Sequence, residues 1–194
     1  MHALDFVAPH CDIRQRLHHV PAGAQVRGVM FRSVGQALQA ADKLDKYERQ
    51  FGSLGRDSIA FYPLADYMVY LASASAVIAS PERLYEGMAA IAHDNAQFVS
   101  SSLLGQALIS TLASDPLRLL EQGIAMRRQM LDYGRWQLVH HGPRDLEMRY
   151  FDEYVWIEES HAHAAAGTFN ACRIKPRMNT VLLTPYSGST RFQW

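Results

Sequence analysis

The chain has 194 residues, a length that suits one domain, and 48% of them are hydrophobic, enough for a solid core. Nineteen Lys and Arg balance nineteen Asp and Glu, so no basic field is on offer to a nucleic acid or an anionic membrane. Two distant cysteines, Cys11 and Cys172, argue against a disulfide scaffold, and no leader pattern is visible in Met1 to Phe6; both point to the cytoplasm.

An N-terminal arm over 1–25 mixes His, Pro, Gly and charge, and one α+β domain is expected over 26–194. Val26 to Phe31 is a short apolar run that enters a helix or an edge strand. Ser33 to Tyr47 reads as helix, with Val34, Leu38, Ala41 and Leu44 at helical spacing, before a loop marked by Gly52 and Gly55. Tyr62-Pro63 begins a second helix with one stripe of Leu64, Tyr67, Met68, Leu71, Ala74 and Ile78. Its apolar stretch, Tyr67 to Ala79, is interrupted by serines and is shorter than the roughly 20 residues that span a bilayer. Ser80-Pro81-Glu82 has the residues of a third helix start, and Leu84, Met88, Ile91, Ala92, Phe98 and Val99 continue it. Ser100 to Leu112 is a further helical stretch with a kink expected near Gly105. Asp115-Pro116 starts the next helix, with Leu117, Leu120, Ile124 and Leu131 facing inward and Gly134 to stop it.

Near Gly134 the period changes. Trp136 to His140 and Leu146 to Phe151 alternate across Gly142-Pro143, which predicts a hairpin. An Ala-rich helix ends near Cys172, and a second hairpin joins Thr180 to Thr184 with Thr190 to Trp194. Helices followed by ββαββ predict an α+β fold: a helical N-terminal two-thirds packed on a small antiparallel sheet.

Several stretches carry a resemblance: Val26-Arg27-Gly28-Val29-Met30-Phe31, Phe98 to Leu112 with Gly105, Leu131-Asp132-Tyr133-Gly134, and the closing Phe192-Gln193-Trp194. Together they resemble an uncharacterised family known as an expanded set of myxobacterial paralogues. More distantly, the order is similar to helical domains closed by a ββαββ sheet. These include haem-nitric-oxide sensor domains, vinyl-reductase-like ligand sensors and vesicle-tethering subunits. That resemblance implies an apolar ligand held between helices and sheet, or dimerisation through helices. Haem sensors of this kind carry an axial His on the helix before the sheet and a Tyr-x-Ser-x-Arg grip on the propionates. Here Leu117 to Leu131 contains no His, with Met126 about where one would be sought. Tyr186-Ser187-Gly188-Ser189-Thr190-Arg191 has the wrong spacing, so no cofactor is expected, haem included.

The sharpest polar cluster is Glu158-Glu159-Ser160-His161-Ala162-His163. On a helix, Glu158 and His161 share a face, as in single-helix metal pairs, and Glu158 falls near the apolar stripe of Val155, Ala162, Ala165 and Phe169. Solvated pairs or a helix-start cap account for the same residues, because one Glu-x-x-His is common by chance. His161 and His163 point apart and cannot chelate together. His140-His141 sits at a strand end, where neighbours face opposite sides. His93 falls off its helix's apolar stripe, Cys172 reads as an inert thiol, and Arg127-Arg128 reads as solvated charge near a helix C-terminus. Ser100-Ser101-Ser102 lacks a nucleophile elbow.

These observations describe a non-enzymatic regulatory or sensory module that binds a small apolar or amphipathic ligand, or a partner protein. The expected pocket lies between the middle helices and the inner sheet face, lined from Tyr67, Tyr70, Met88, Phe98, Met126, Met148 and Phe169; a solid core would use the same residues. Two alternatives stand beside it: a homodimer formed through helices without ligand, and a metal-dependent enzyme using Glu158 and His161.

Overall fold

The computed structural model of the chain describes residues 2–53, 55–101 and 115–194, as backbone alone at 95–101. Two compact units emerge: one runs to Ile91 and includes Met130–Asp132, and the other comprises Ala92–Gln129 and Tyr133–Trp194.

In the first unit the N-terminal residues form α1 (Ala3–Val7) and α2 (Ile13–His19), which bury Val7 and Ile13 completely. The apolar run from Val26 divides between both expected forms. β1 (Gln25–Arg27) pairs antiparallel with β2 (Phe61–Pro63), and α3 (Gly28–Ala40) starts one residue later. Gly28 is required there, because a Cβ would collide with the Asp57 carbonyl. The Gln25 N–H donates to Asp132 Oδ1 at 2.6 Å, and Val26 bridges Leu131.

The single helix expected over Ser33 to Tyr47 is two helices, α3 and α4 (Leu44–Phe51). Asp42 breaks it in the left-handed region, at φ 56°. The Lys43 and Asp42 amides then donate to Leu38 and Gln39 carbonyls at 2.8 and 3.0 Å, a Schellman ending built on Asp where Gly is usual.

α5 (Leu64–Ile78) is the centre of this unit: eleven of its fifteen residues are buried, so it is apolar on every face. The Ser73 and Ser75 hydroxyls inside it donate to the Val69 and Leu71 carbonyls one turn back, at 2.8 and 2.7 Å. Phe31 of α3 stacks on Tyr70 and meets Tyr62 and Tyr67 edge-on. A single 3₁₀ turn (Pro81–Arg83) follows the expected Ser80 start and leads into α6 (Leu84–Ser101). Gly87 of α6 lets that helix lie directly against the Ser75 backbone.

The second unit contains α7 (Pro116–Met130), β3 (Arg135–Gly142), β4 (Asp145–Phe151), a π-helical turn (Ile157–Ala162), α8 (His163–Ala171), β5 (Arg177–Thr184) and β6 (Ser187–Gln193). Asp115 caps α7 by accepting the Arg118 N–H at 3.1 Å. The four strands form one antiparallel sheet in the order β3-β4-β6-β5, which is the expected α+β, ββαββ fold. Both hairpin loops are two residues long, Pro143-Arg144 and Pro185-Tyr186, so β6 begins three residues before the expected Thr190.

Register puts Leu146 opposite Phe192 and Met148 opposite Thr190. Leu146, Met148 and Tyr150 therefore share a face with Phe192, and this face packs with Ile157, Ala165, Phe169 and Leu120 into one core. Ser102 to Leu112, with Gly105, lies outside the described residues, as does the Phe98 side chain.

Candidate functional site

A charged knot is buried in the second unit. α7 carries Arg127 in line with its inward positions Leu120 and Ile124, so the helix periodicity takes a guanidinium into the interior, where it is 7% exposed. This corrects the reading of Arg127 as solvated charge. Its Nη2 donates to Glu153 Oε2 at 2.6 Å, and its Nη1 donates to the Tyr133 carbonyl at 3.0 Å. The guanidinium also lies over the Trp136 ring, 4.6 Å from the centroid.

Glu153 is wholly buried, in the segment after β4. Its position is set by Asp152, which takes the left-handed region at φ 54°, and by its own N–H, which donates to the Tyr186 carbonyl at 2.8 Å. Oε2 also accepts the Trp136 indole N–H at 2.7 Å. Oε1 stands 3.1 Å from His161 Nε2, within ion-pair range but off the line of a hydrogen bond.

Burial alone would push the Glu153 carboxyl up. The charge of His161, the Arg127 guanidinium and the Trp136 N–H outweigh it and hold the group below the ordinary carboxylate range. This carboxylate has no exposed surface, with Oε2 hydrogen-bonded and Oε1 facing the His161 ring. What it can do is fix one end of α7, the start of β3 and the π turn to a common charge.

The π turn decides the fate of the proposed metal pair. It is wider than an α turn, and the His161 N–H faces the Trp156 carbonyl five residues back, at 3.4 Å. Residues three apart no longer stack. His161 is buried against Trp136 and Glu153, while Glu158 is exposed, not near the apolar stripe. Among the described residues no group of three or more His, Cys, Asp or Glu is placed to hold a metal.

Of the expected pocket residues, Tyr67, Tyr70 and Met88 are buried in the first unit, the two tyrosines together around Phe31. Met148 and Phe169 share the sheet core of the second, and Met126 is half-buried on α7. His141 pairs with Glu147 at 3.0 Å on the sheet surface, and His93 lies 2.7 Å from Asn170 Nδ2. Glu153 escaped sequence reasoning because Asp152-Glu153 looks like any acidic turn. The available signal was Arg127, seven residues after Leu120 and three after Ile124, on their helical stripe.

Residues 20–174 match a family described as a protein of unknown function, DUF2378. The chain belongs to this family. No curated protein matches the sequence. Solved structures similar to this DUF2378 member include H-NOX domains. An Fe(II) unliganded H-NOX protein from K. algicida superposes with a TM-score of 0.67 at 15% identity, covering 86% of this chain and 95% of that one. An oxygen-binding H-NOX domain related to soluble guanylate cyclases, solved as its oxygen complex, gives 0.62 at 10% identity over 86% and 94%. A T. tengcongensis H-NOX variant gives 0.58 at 10% identity over 84% and 94%. At these identities the likeness is one of fold.

The residues here do not fit a haem of that kind. α7 supplies no His, Cys or Tyr as an axial ligand, only the half-buried Met126 and Met130. Arg191 lies on the exposed face of β6, where Asp145 takes both its Nε and Nη2 at 2.7 and 2.6 Å. No helix among the described residues is long and apolar enough to cross a membrane.

Proposed function

We propose that this DUF2378 member is a cytoplasmic, non-enzymatic sensory module that binds a small apolar or amphipathic ligand without haem. The observation that carries the reading is a fold like that of the H-NOX domains, in which the helix before the sheet has no His, Cys or Tyr and the candidate propionate Arg191 is tied to Asp145. A similar fold without these groups supports ligand binding without iron as the use of the scaffold. The two free thiols, Cys11 and Cys172, support a reducing compartment.

The test is to express the chain in haem-fed cells, then record its visible spectrum and native mass. The expected result is no Soret band and a co-purified organic mass. Stoichiometric haem, or a clean apo mass, overturns the reading.

β5 favours a second reading, a protein contact. It is an edge strand without charge from Met178 to Thr184, and Val181 and Leu183 are 50% and 79% exposed. Antiparallel pairing of two copies about Thr180 would set Met178 of one copy opposite Leu182 of the other on one face. Light scattering tests it: a dimer that Val181→Glu dissociates supports this contact, and a monomer at all concentrations excludes it.

A further inference from the structure

Within the second unit a half-open cleft of about 660 Å³ lies where the start of α7, the β3–β4 turn and the segment after α8 converge. That volume is in the range of small-molecule sites, roughly 300–1,000 Å³. Its apolar lining comes from Leu117, Leu146, Ile174 and the Trp194 indole, and its rim carries Arg144 and Lys175.

The charges around this cleft are unequally engaged. Asp115 also lines it, but its carboxylate already accepts the Arg118 N–H and lies 3.3 Å from Arg118 Nε. Asp145, next to Arg144 in the chain, is taken by Arg191 and by Gln193 Nε2 at 2.8 Å. Among the described residues neither Arg144 nor Lys175 makes an ion pair. The hairpin loop of Pro143-Arg144 is two residues long, so it holds the Arg144 backbone at the cleft mouth, where the Arg144 carbonyl accepts the Trp194 N–H at 3.1 Å. The result is an apolar floor beneath two cations that make no ion pair among the described residues.

We propose that this cleft is the ligand site of the module and that it takes a small organic carboxylate with an apolar body. The body would lie on Trp194, Leu146 and Ile174, and the carboxylate between Arg144 and Lys175, where charge-assisted hydrogen bonds are strong and can be bidentate to Arg. The proposal rests on the ligand-binding reading above and gives it a place and a chemistry.

The probes are anilinonaphthalene sulfonate, an apolar anion, and the neutral N-phenyl-1-naphthylamine, titrated by fluorescence into the full chain. The anion is expected to bind at one site per chain. Arg144→Gln with Lys175→Gln should weaken it about tenfold, the scale of one charge-assisted hydrogen bond. The neutral dye should be unaffected, and Trp194→Phe should cut indole-to-dye energy transfer. Arg144 and Lys175 are exposed, so the double variant keeps its fold. Equal anion affinity in the wild type and the double variant overturns the proposal. If a co-purified organic mass also survives in that variant, ligand binding stands and this cleft is not its site. If the anion weakens as expected but no organic mass co-purifies from the wild type, the cleft stands and the broader sensory reading falls.

Discussion

The two units differ in the kind of polar group they bury: mainly hydroxyls in α5 of the first, a charged pair in the second. In the first, the hydroxyls within α5 bond to carbonyls of the same helix, three or four residues back. In the second, Arg127 and Glu153 find one another across 26 residues of chain, with Trp136 and His161 completing the knot. A locally satisfied hydroxyl costs little to bury and little to remove. A buried charge paired at long range depends on every partner, because desolvation of whatever remains is severe.

The largest test of this contrast is Glu153→Ala, which leaves Arg127 buried without its counter-charge. It should cost about 3–5 kcal/mol by urea or thermal unfolding. Replacing Arg127 and Glu153 together with Met should cost clearly less than Glu153→Ala, and an equal or greater loss would remove the unpaired-charge explanation.

Acid should expose the same difference next. The Glu153 carboxyl is held below its ordinary value, as is Glu147, which Arg149 holds down to about 2. Unfolding therefore takes up protons, so the stability these groups contribute is present above the ordinary carboxylate range, about 4.3 for Glu, and is lost as pH falls toward about 2. Melts between neutral pH and pH 3 should show that loss, and Glu147→Gln should flatten it. Stability that rises on acidification would contradict the assignment.

In the first unit, Tyr47→Phe removes a hydroxyl that lies 2.9 Å from Ser73 Oγ. Ser73 keeps its own carbonyl partner, so the loss should be about 0.5–1.5 kcal/mol. Ser75→Ala should be the smallest change, within about 0.5 kcal/mol in either direction, because the lost bond lies within one helix and Ala is the better helix former. A cost above that of Tyr47→Phe would show that the two units do not differ as described.

The same contrast explains what was legible. α5 was readable from its stripe, although Tyr62-Pro63 closes β2 and the helix starts at Leu64, and Ser80-Pro81-Glu82 and Asp115-Pro116 marked the helices that follow. The break at Asp42 was not, since Asp in the left-handed region leaves no pattern of the kind Gly does. The Glu158–His161 pairing assumed α-helical spacing, and the π turn separated them. Tyr67, Tyr70 and Met88 are buried, but periodicity cannot tell a cavity lining, the role expected of them, from a filled core.

By itself the sequence determined the α+β order of helices first and the antiparallel ββαββ end, because period, capping residues and composition act over a few neighbours. Only the tertiary structure decided which charges are buried, which carboxylates are engaged and which cations stay open at the cleft. Those outcomes depend on residues such as Arg127 and Glu153, or Asp145 and Arg191, that meet only after the chain has folded.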